Sequence, residues 1–584
     1  MDTTVFKEIS YSLGNLVDDI DMGEIGLPEL QRPFVWPNKK VRDLFDSMYK
    51  GFPVGYLLFW VNGASDNHKQ IGATHKQKYP RLLIVDGQQR LTSLYAVLKN
   101  VSVIRENYKE EHITIAFRPI DQKFEVADAA IIRDPEYISD ISKLWSAEIT
   151  RHQFEKNYVM RLKESREVTD EEEDRLAEAI DHLYDIKNYP FTVLELSSSV
   201  PDEDVADVFV RVNGTGTPLN QADFILTLMS VFWDEGRTEL ERFCRLSRQP
   251  VASGASPFNY YIYPDPDQLL RVDIGLGFRR ARLRNVYTIL RGKDLETEEY
   301  SVKKRDEQFA ILKEAQVDVL NVQNWHDFLK AVQRAGYTSQ AMITSQNALL
   351  YAYIFYLIGK RDLDVDNFVL RNTIARWFFV TTLTSRYSGS FESVMEQDLA
   401  RLRDVHTSNQ FISVLDHIVD DLLTEDYWNI TLPNELATSS PRSPSLFSFY
   451  AAQCLLGANA LFSKLPVSTL LDPAIKAKKS ATERHHLFPK GYLEKLGITE
   501  IRDTNQIANY ALVEWDDNIE ISDDPPSDYF PKYISRFAKD ELKNMLYWHA
   551  IPEGWEKMEY RDFIEKRRKL IAKVIRDGFN KLKE

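Results

Sequence analysis

The chain has 584 residues, of which 43% are apolar and 28% are charged. A single hydrophobic core stops growing near ~250–300 residues, so this length and composition predict a folded protein of several domains and exclude a wholly disordered chain. The 73 basic and 88 acidic residues give a net charge of −15, which argues against a protein that coats nucleic acid non-specifically. A nuclease is not excluded, because a local basic patch or a bound divalent cation supplies positive charge at the site itself.

Cysteine content and hydropathy indicate the cellular compartment of the protein. Only Cys244 and Cys454 occur, so neither a disulfide framework nor a paired-cysteine zinc site is expected. The first residues lack a basic start followed by an apolar stretch, and no run of about 18 apolar residues occurs. We therefore expect a cytoplasmic protein without a membrane partner.

The first 120 residues predict a mixed α/β fold with an anion site. Apolar runs at 55–61 and 82–85 are typical of buried strands, and residues 40–48 have helical spacing. The second run leads into Asp86 and Gly87, which favour a tight turn, and a helical pattern follows. The unpaired N–H groups of such a helix start bind anions.

Arg90 lies in the first turn of that predicted helix. A cation there opposes the helix dipole, so its position is favourable only if the guanidinium contacts an anion. Asp86 could accept a hydrogen bond from a ribose hydroxyl or hold a hydrated magnesium ion. The alternative interpretation is a buried turn closed by an Asp86–Arg90 salt bridge.

Two further motifs accompany this turn, LQRPFVW at 30–36 and FVRVNGTGTPL at 209–219. The small residues of the second motif let backbone amides approach a phosphate. A flexible glycine loop before a helix N-cap also explains that motif.

Together the three motifs resemble the N-terminal domain of GmrSD-type restriction endonucleases, which has a ParB-like core. The resemblance covers most of residues 8–225, and the helical segment up to Ser388 is similar as well. It implies that a domain spanning 1–235 binds and hydrolyses a nucleoside triphosphate (GTP, ATP or CTP), with Asp86 and Arg90 in catalytic roles. The residues that it implies as nucleotide contacts are Gln31, Arg32, Asp86, Gly87, Gln88, Gln89, Arg90 and Asn213.

The middle of the chain is predicted to be helical. An acidic helical pattern begins after Thr169, an N-cap residue with Glu172 three positions later. Apolar spacing predicts core helices at 347–358 and 375–388, within a helical domain over 236–435. The Ser- and Pro-rich stretch 436–448 predicts a linker to a last domain over 445–584.

The strongest chemical signal near the C-terminus is ERHHLFP at 483–489. Adjacent side chains of a strand face opposite ways, so at a strand end or bend one of His485 and His486 can reach a metal while its neighbour reaches a water. Phosphodiester hydrolysis needs both functions, a neutral imidazole that takes a proton from water and a cation that offsets charge on the phosphate. A histidine pair on a capped surface strand is the alternative, but NYALV at 509–513 and DDNIEIS at 516–522 follow.

These three segments resemble the ββα-metal (HNH) nuclease motif, in a version similar to the C-terminal domain of GmrSD-type proteins. The resemblance implies that His486 is the general base, that His485 is a metal ligand, and that Asn509 fixes the loop and orients the base. Asn518 occupies the position of the last metal ligand, which is often histidine in the family. An amide oxygen suits Mg²⁺ or Mn²⁺ better than zinc.

The C-terminal stretch 560–583 is the one clearly basic strip in this acidic sequence. Beside a nuclease motif it favours contact with DNA phosphates, with Arg567 and Arg568 as the first candidates. Homodimer formation through this helix is the competing use.

The sequence therefore predicts an α+β multidomain protein with a ParB-like α/β N-terminal domain, a helical middle region and a C-terminal HNH domain. The expected function is an NTP-regulated, metal-dependent endonuclease of anti-phage defence that acts on double-stranded DNA, including modified phage DNA. The alternative is a ParB-like, nucleotide-dependent DNA-binding regulator whose nuclease fold is silent. A helical scaffold for partner proteins would explain the middle region but neither motif cluster.

Overall fold

The computed structural model describes residues 6–26, 34–61, 81–105, 109–146, 149–197, 221–293, 301–474 and 484–584. The protein is a mixed α+β structure in which helices predominate, and it divides into two compact units, Met1–Asp234 and Glu235–Glu584. Among these residues, no helix combines the length and the apolar character that a bilayer crossing requires.

The N-terminal unit is built on a five-stranded mixed sheet. The unit as a whole contains the strands β1 (Phe6–Ser12), β2 (Ile25–Gly26), β3 (Leu57–Val61), β4 (Leu82–Asp86), β5 (Val103–Ile104), β6 (Glu110–Glu111), β7 (Ile115–Arg118), β8 (Lys123–Val126) and β9 (Pro190–Leu196). Strands β5 to β8 lie outside the five-stranded sheet, in two separate two-stranded sheets. Its helices are α1 (Leu13–Asp21), α2 (Asn38–Tyr49), α3 (Gln88–Lys99), α4 (Arg151–Ser165), α5 (Asp170–Tyr184) and α6 (Gln221–Phe232).

The sheet has the order β1-β9-β3-β4-β2. Strand β3 runs parallel to β9 and antiparallel to β4, and β4 runs parallel to β2. The predicted strands at 55–61 and 82–85 are thus confirmed as β3 and β4 at the centre of the sheet. Their buried side chains, such as Phe59 and Ile84, belong to the same core as Phe45 of α2 and Leu94 of α3, which fixes where the turn after β4 lies.

Helix α5 begins as its sequence predicted. The Thr169 hydroxyl oxygen accepts a hydrogen bond from the Glu172 N–H at 3.3 Å, and four acidic residues in the first turn face the positive end of the helix dipole.

The C-terminal unit is almost entirely helical. Its helices are α7 (Asp234–Leu246), α8 (Pro266–Phe278), α9 (Leu283–Leu290), α10 (Val302–Val319), α11 (Val322–Arg334), α12 (Gln346–Leu357), α13 (Asn367–Leu383), α14 (Phe391–Ala400), α15 (Ser408–Leu422), α16 (Leu432–Glu435), α17 (Pro444–Leu455), α18 (Val467–Leu470), α19 (Lys490–Lys495), α20 (Ile501–Thr504), α21 (Trp515–Ile521), α22 (Pro526–Ile534), α23 (Lys539–Trp548) and α24 (Tyr560–Lys581). Its strands are β10 (Arg484–His486) and β11 (Tyr510–Leu512).

Helices α12 and α13 form the core of this unit, as their apolar sequences predicted. Every residue from Ala348 to Ile358 is buried. At Gly275 of α8 an added Cβ atom would lie only 2.4 Å from the Cδ1 atom of Ile354. Glycine therefore lets α8 and α12 pack more closely than any larger residue would allow.

The predicted linker at 436–448 is wrong in its second half. Residues 444–448 form the first turn of α17, and Ser445, Phe447 and Ser448 are buried. The Ser448 hydroxyl lies 2.9 Å from the Tyr337 hydroxyl, so the small polar residues are used for close packing and internal hydrogen bonding. Composition predicted a loop because serine and proline are common in both environments.

Asp273 of α8 is fully buried, and within the described part of the chain neither of its carboxyl oxygens has a hydrogen-bond partner. Burial raises its pKa well above 3.8. Because the folded-state pKa lies above that of the unfolded chain, the contribution of Asp273 to stability is greatest below about pH 3.8 and is lost as the pH rises towards the folded value.

We expect Asp273→Asn to raise the unfolding midpoint by at least about 2–4 °C at pH 8, because the amide cannot ionise. The gain should shrink at pH 5. Thermal unfolding followed by circular dichroism at both pH values checks this, and an equal shift at the two would contradict the assignment.

Candidate functional site

The two histidines lie on a short hairpin in the C-terminal unit. Strand β10 pairs antiparallel with β11, with His485 opposite Ala511 and His486 opposite Tyr510. Helix α21 follows three residues after β11 and carries Asn518. As the alternation of side chains predicted, His485 faces inwards with 3% of its surface exposed, whereas His486 is half-buried.

His485 contacts Asn518 directly. Its Nδ1 atom lies 2.8 Å from the Asn518 Oδ1 atom, and its ring meets that of Tyr529 edge-on at 5.9 Å. Its Nε2 atom is buried without a hydrogen-bond partner among the described residues. Burial lowers the pKa of His485 to about 4, against the opposing effect of the Asn518 contact. The imidazole is therefore neutral, which is the form that binds metals.

His486 lies in a more open position on the other face of the hairpin. Its Nε2 atom is 3.1 Å from the Asn505 Oδ1 atom, and its ring packs against Tyr510 at 4.8 Å. Burial lowers its pKa, the Asn505 contact opposes this, and the Lys490 ammonium adds to the lowering. Because an amide oxygen only accepts hydrogen bonds, Nε2 carries the proton in this arrangement and Nδ1 is the basic atom.

Asn509 ties down the loop that follows the histidines. It is fully buried, its Oδ1 accepts from the Phe488 N–H at 2.8 Å, and its Nδ2 donates to the carbonyls of Phe488 and Thr504 at 3.0 and 3.2 Å. The Leu487 N–H donates to the Asn509 carbonyl at 2.8 Å. One amide thus satisfies both backbone groups of Phe488, two residues after His486.

Two residues around the histidines were missed by the sequence analysis. Asn505 orients His486, and the Tyr529 hydroxyl donates to the Leu487 carbonyl at 2.6 Å. Both are distant in sequence from the histidines, so no local pattern indicates them.

His485 and Asn518 place two donor atoms side by side, as a site for a small divalent cation requires. The His485 Nδ1 and Asn518 Oδ1 atoms are 2.8 Å apart, close to the separation of about 3 Å between neighbouring ligands at bond lengths of roughly 2.1 Å. Within the described residues, no group of three or more His, Cys, Asp or Glu side chains could hold a metal. By the rule applied to His486, Nδ1 of His485 carries the proton that it donates to the Asn518 Oδ1 atom, so a cation would bind at Nδ1 only after that proton moves to Nε2. These two donors would then fit a cation that keeps most of its shell as water or phosphate oxygen, as Mg²⁺ does.

The prediction that Arg567 contacts DNA phosphate is wrong. Its side chain is fully buried, and it donates to the carbonyls of Ala508 and His549. Arg568 is half-buried, with its Nε atom 3.4 Å from the Ile564 carbonyl of its own helix. Its contact with DNA stays a prediction.

The turn at Asp86 lies in the N-terminal unit, between β4 and α3. Gly87 has a left-handed φ of 93°, and an added Cβ atom would lie 2.3 Å from the Leu57 Cδ2 atom. Glycine is required there both for its backbone conformation and for space. Gly87, the N-cap residue of α3, has no side chain that could cap the helix, so within the described part of the chain the N–H groups of the first turn are not capped from this position.

Gln89 joins two of the sequence motifs. Its Oε1 accepts from the Val35 N–H at 2.9 Å, so residues 34–36 of the first motif lie against the turn. Arg105, which the sequence analysis missed, donates to the Trp36 carbonyl at 2.6 Å and lies over the Phe34 ring at 4.9 Å. Gln31, Arg32 and Asn213, all predicted nucleotide contacts, lie outside the described residues.

Arg90 folds back over the loop before β3. Its Nη1 donates to the Tyr56 carbonyl at 2.8 Å, and its guanidinium covers Gly55, where an added Cβ atom would lie 3.2 Å from Nη2. Burial lowers the pKa of Arg90, and the Asp86 carboxylate opposes that effect. Among the described residues, no carboxylate lies within 4 Å of the guanidinium, so the alternative of a salt-bridged turn does not describe this site.

Comparison with known proteins gives two relationships. An uncharacterized protein of Methanocaldococcus jannaschii is 22% identical over 97% of this chain and 99% of the relative. The family model described as GmrSD restriction endonuclease, N-terminal domain, matches residues 13–230. The resemblance predicted from the three N-terminal motifs is thus supported over residues 13–230, which are similar to the N-terminal domain of GmrSD restriction endonucleases.

Proposed function

We propose that this protein is an NTP-regulated, metal-dependent DNA endonuclease with its cleavage site on the β10–β11 hairpin. The observation that carries the proposal is the 2.8 Å contact between His485 and Asn518, with His486 on the opposite face of the same strand. The GmrSD match of residues 13–230 supports DNA as the substrate, because the matching family is one of restriction endonucleases.

The chemistry assigns one task to each residue. His486 takes a proton from water through Nδ1, the water oxygen forms a bond to phosphorus, and the bond from phosphorus to one ester oxygen breaks, so that the leaving oxygen stays on the cut strand and takes its proton from solvent water. Asn505 fixes the tautomer of His486 by accepting from Nε2, and Asn509 holds the backbone that follows. His485 and Asn518 would hold a divalent cation, which supplies positive charge beside the scissile phosphate and the leaving oxygen.

In the N-terminal unit we propose a nucleotide site at the turn between β4 and α3. Three features support it: a 12-residue helix whose start has no side-chain cap, Gly87 in a left-handed conformation, and Arg90 held by a carbonyl rather than by a carboxylate. Hydrolysis at this site would regulate cleavage by the other unit. The nucleotide is GTP, ATP or CTP.

One observation favours the second candidate, a nucleotide-dependent DNA-binding regulator with a silent nuclease fold. Asn518 stands at the last ligand position, and among the described residues His485 belongs to no group of three or more His, Cys, Asp or Glu side chains that could hold a metal. A cation held by two donors alone binds weakly until substrate phosphate completes its shell.

A plasmid-nicking panel separates the two candidates. Supercoiled DNA, either unmodified, hydroxymethylated, glucosylated or phosphorothioated, is incubated with Mg²⁺, Mn²⁺ or EDTA, with and without each nucleotide. We expect nicking of at least one substrate with Mn²⁺ or Mg²⁺ and none with EDTA. DNA binding without nicking under every condition would establish the regulator and overturn the endonuclease.

A further inference from the structure

Arg567 is a fully buried guanidinium on α24 (Tyr560–Lys581). It donates from Nη1 to the Ala508 carbonyl at 2.7 Å, and from Nε and Nη2 to the His549 carbonyl at 3.2 and 3.0 Å. Its guanidinium also lies over the Phe563 ring at 5.9 Å. Within the described residues no carboxylate lies within 4 Å of it, and burial lowers its pKa to about 9.

A buried charge without a counter-charge is costly, and an apolar side chain of similar size commonly gives equal or greater stability at such a position. Packing alone therefore does not account for an arginine here. Arg567 donates hydrogen bonds to two carbonyls at once, which requires a planar group with several N–H donors. This suggests a role other than packing.

The hydrogen bonds of Arg567 lead directly to the histidine hairpin. Ala508, whose carbonyl accepts from Nη1, is followed by Asn509, which holds both backbone groups of Phe488. Phe488 lies two residues after His486. Arg567 thus fixes the backbone from which Asn509 projects, and Asn509 fixes the exit of β10.

The second acceptor is the carbonyl of His549, whose side chain contacts the segment on the other side of β11. Its Nε2 atom lies 2.8 Å from the Asn459 carbonyl, and two residues later the Leu461 N–H donates to the Leu512 carbonyl at 2.9 Å. The Arg567 guanidinium therefore links two parts of the chain. One is the loop at Ala508, which leads into β11, and the other is His549, which contacts the segment 459–461 beside β11.

We propose that Arg567 is a positioning residue for DNA cleavage, which holds the Ala508–Asn509 backbone in the place that His486 and His485 require. This inference rests on the proposed endonuclease function. Arg567 acts through Ala508 and Asn509, and it contacts neither DNA nor the reacting atoms.

Arg567→Lys is the central variant. Lysine keeps the positive charge and the apolar stem, but it lacks the planar guanidinium that donates to the carbonyls of Ala508 and His549 at the same time. We expect its kcat for plasmid nicking to fall at least about tenfold while KM changes less than about twofold. Arg561→Lys, an exposed substitution on the first turn of the same helix, is the matched control and should nick like wild type.

Ile571→Ala is the control for a loss of stability alone. Ile571 is fully buried on α24 and forms none of the bonds to Ala508. When both variants are assayed below their unfolding midpoints, Ile571→Ala should keep its kcat. An equal loss of kcat in Ile571→Ala would reduce Arg567 to a structural residue and overturn the proposal, as would wild-type nicking by Arg567→Lys.

Hydrogen–deuterium exchange gives a readout that does not depend on cleavage. The amides of Leu487 and Phe488, which donate to Asn509, should exchange at least about tenfold faster in Arg567→Lys and in Arg567→Met, with α24 still protected. Unchanged exchange would overturn the positioning role. If the wild-type protein nicks no DNA, the endonuclease proposal fails, whereas the exchange experiment still decides whether Arg567 holds the loop.

Discussion

Replacement of His486 by alanine is expected to abolish DNA nicking, with a loss of at least about a hundredfold in kcat. The hairpin holds this imidazole half-buried, with Nε2 engaged by Asn505 and the ring against Tyr510. Alanine removes the imidazole that would accept the proton of an attacking water. The supercoiled-to-nicked conversion of plasmid DNA, under the metal condition that supports wild-type cleavage, gives the measurement.

The design needs two controls. His417→Ala replaces an exposed histidine of α15 whose Nδ1 lies 2.8 Å from the carbonyl of Ser413, and it should leave nicking unchanged. Nucleotide binding by His486→Ala should equal that of wild type, because the proposed nucleotide site lies in the other compact unit. Nicking at the wild-type rate by His486→Ala would remove His486 as the base.

The sequence predicted the elements whose signals are local. The strands at 55–61 and 82–85, the cap at Thr169 and the core helices α12 and α13 follow from apolar spacing and side-chain chemistry within a few residues. The turn at Gly87 follows in the same way, since its left-handed backbone requires glycine. The partners of the histidines, Asn505 and Tyr529, could not be predicted, because they meet the hairpin only after the chain has folded.

Arg567 illustrates an error that the sequence itself could have corrected. The DNA contact predicted for the basic strip at 560–583 rests on its charge alone. Which side chains of a helix are buried depends on the spacing of its apolar residues. Phe563 and Ile571 lie four residues before and after Arg567, and all three are buried on one stripe of α24. Helical periodicity therefore places Arg567 with the apolar residues, whereas Lys566 and Lys569 fall on the exposed face.

Arg90→Ala is expected to lower nucleotide hydrolysis at least about tenfold and to weaken nucleotide binding. In the described residues only Nη1 of this guanidinium is engaged, by the Tyr56 carbonyl, so its other donors remain for an anion at the uncapped start of α3. A charge-assisted bond from arginine to phosphate is among the strongest that a side chain makes. Phosphate release and calorimetric titration with GTP, ATP and CTP are the measurements.

Lys99→Ala is the matched control for this test. Lys99 lies at the other end of α3, where its ammonium pairs with Asp21 at 2.5 Å, and its loss should leave both hydrolysis and binding unchanged. Arg90→Lys separates charge from geometry, since lysine keeps the positive charge but cannot bridge the Tyr56 carbonyl and a phosphate with one planar group. An intermediate rate for Arg90→Lys fits an anion-binding arginine, whereas wild-type turnover in Arg90→Ala would leave Arg90 with only its bond to Tyr56.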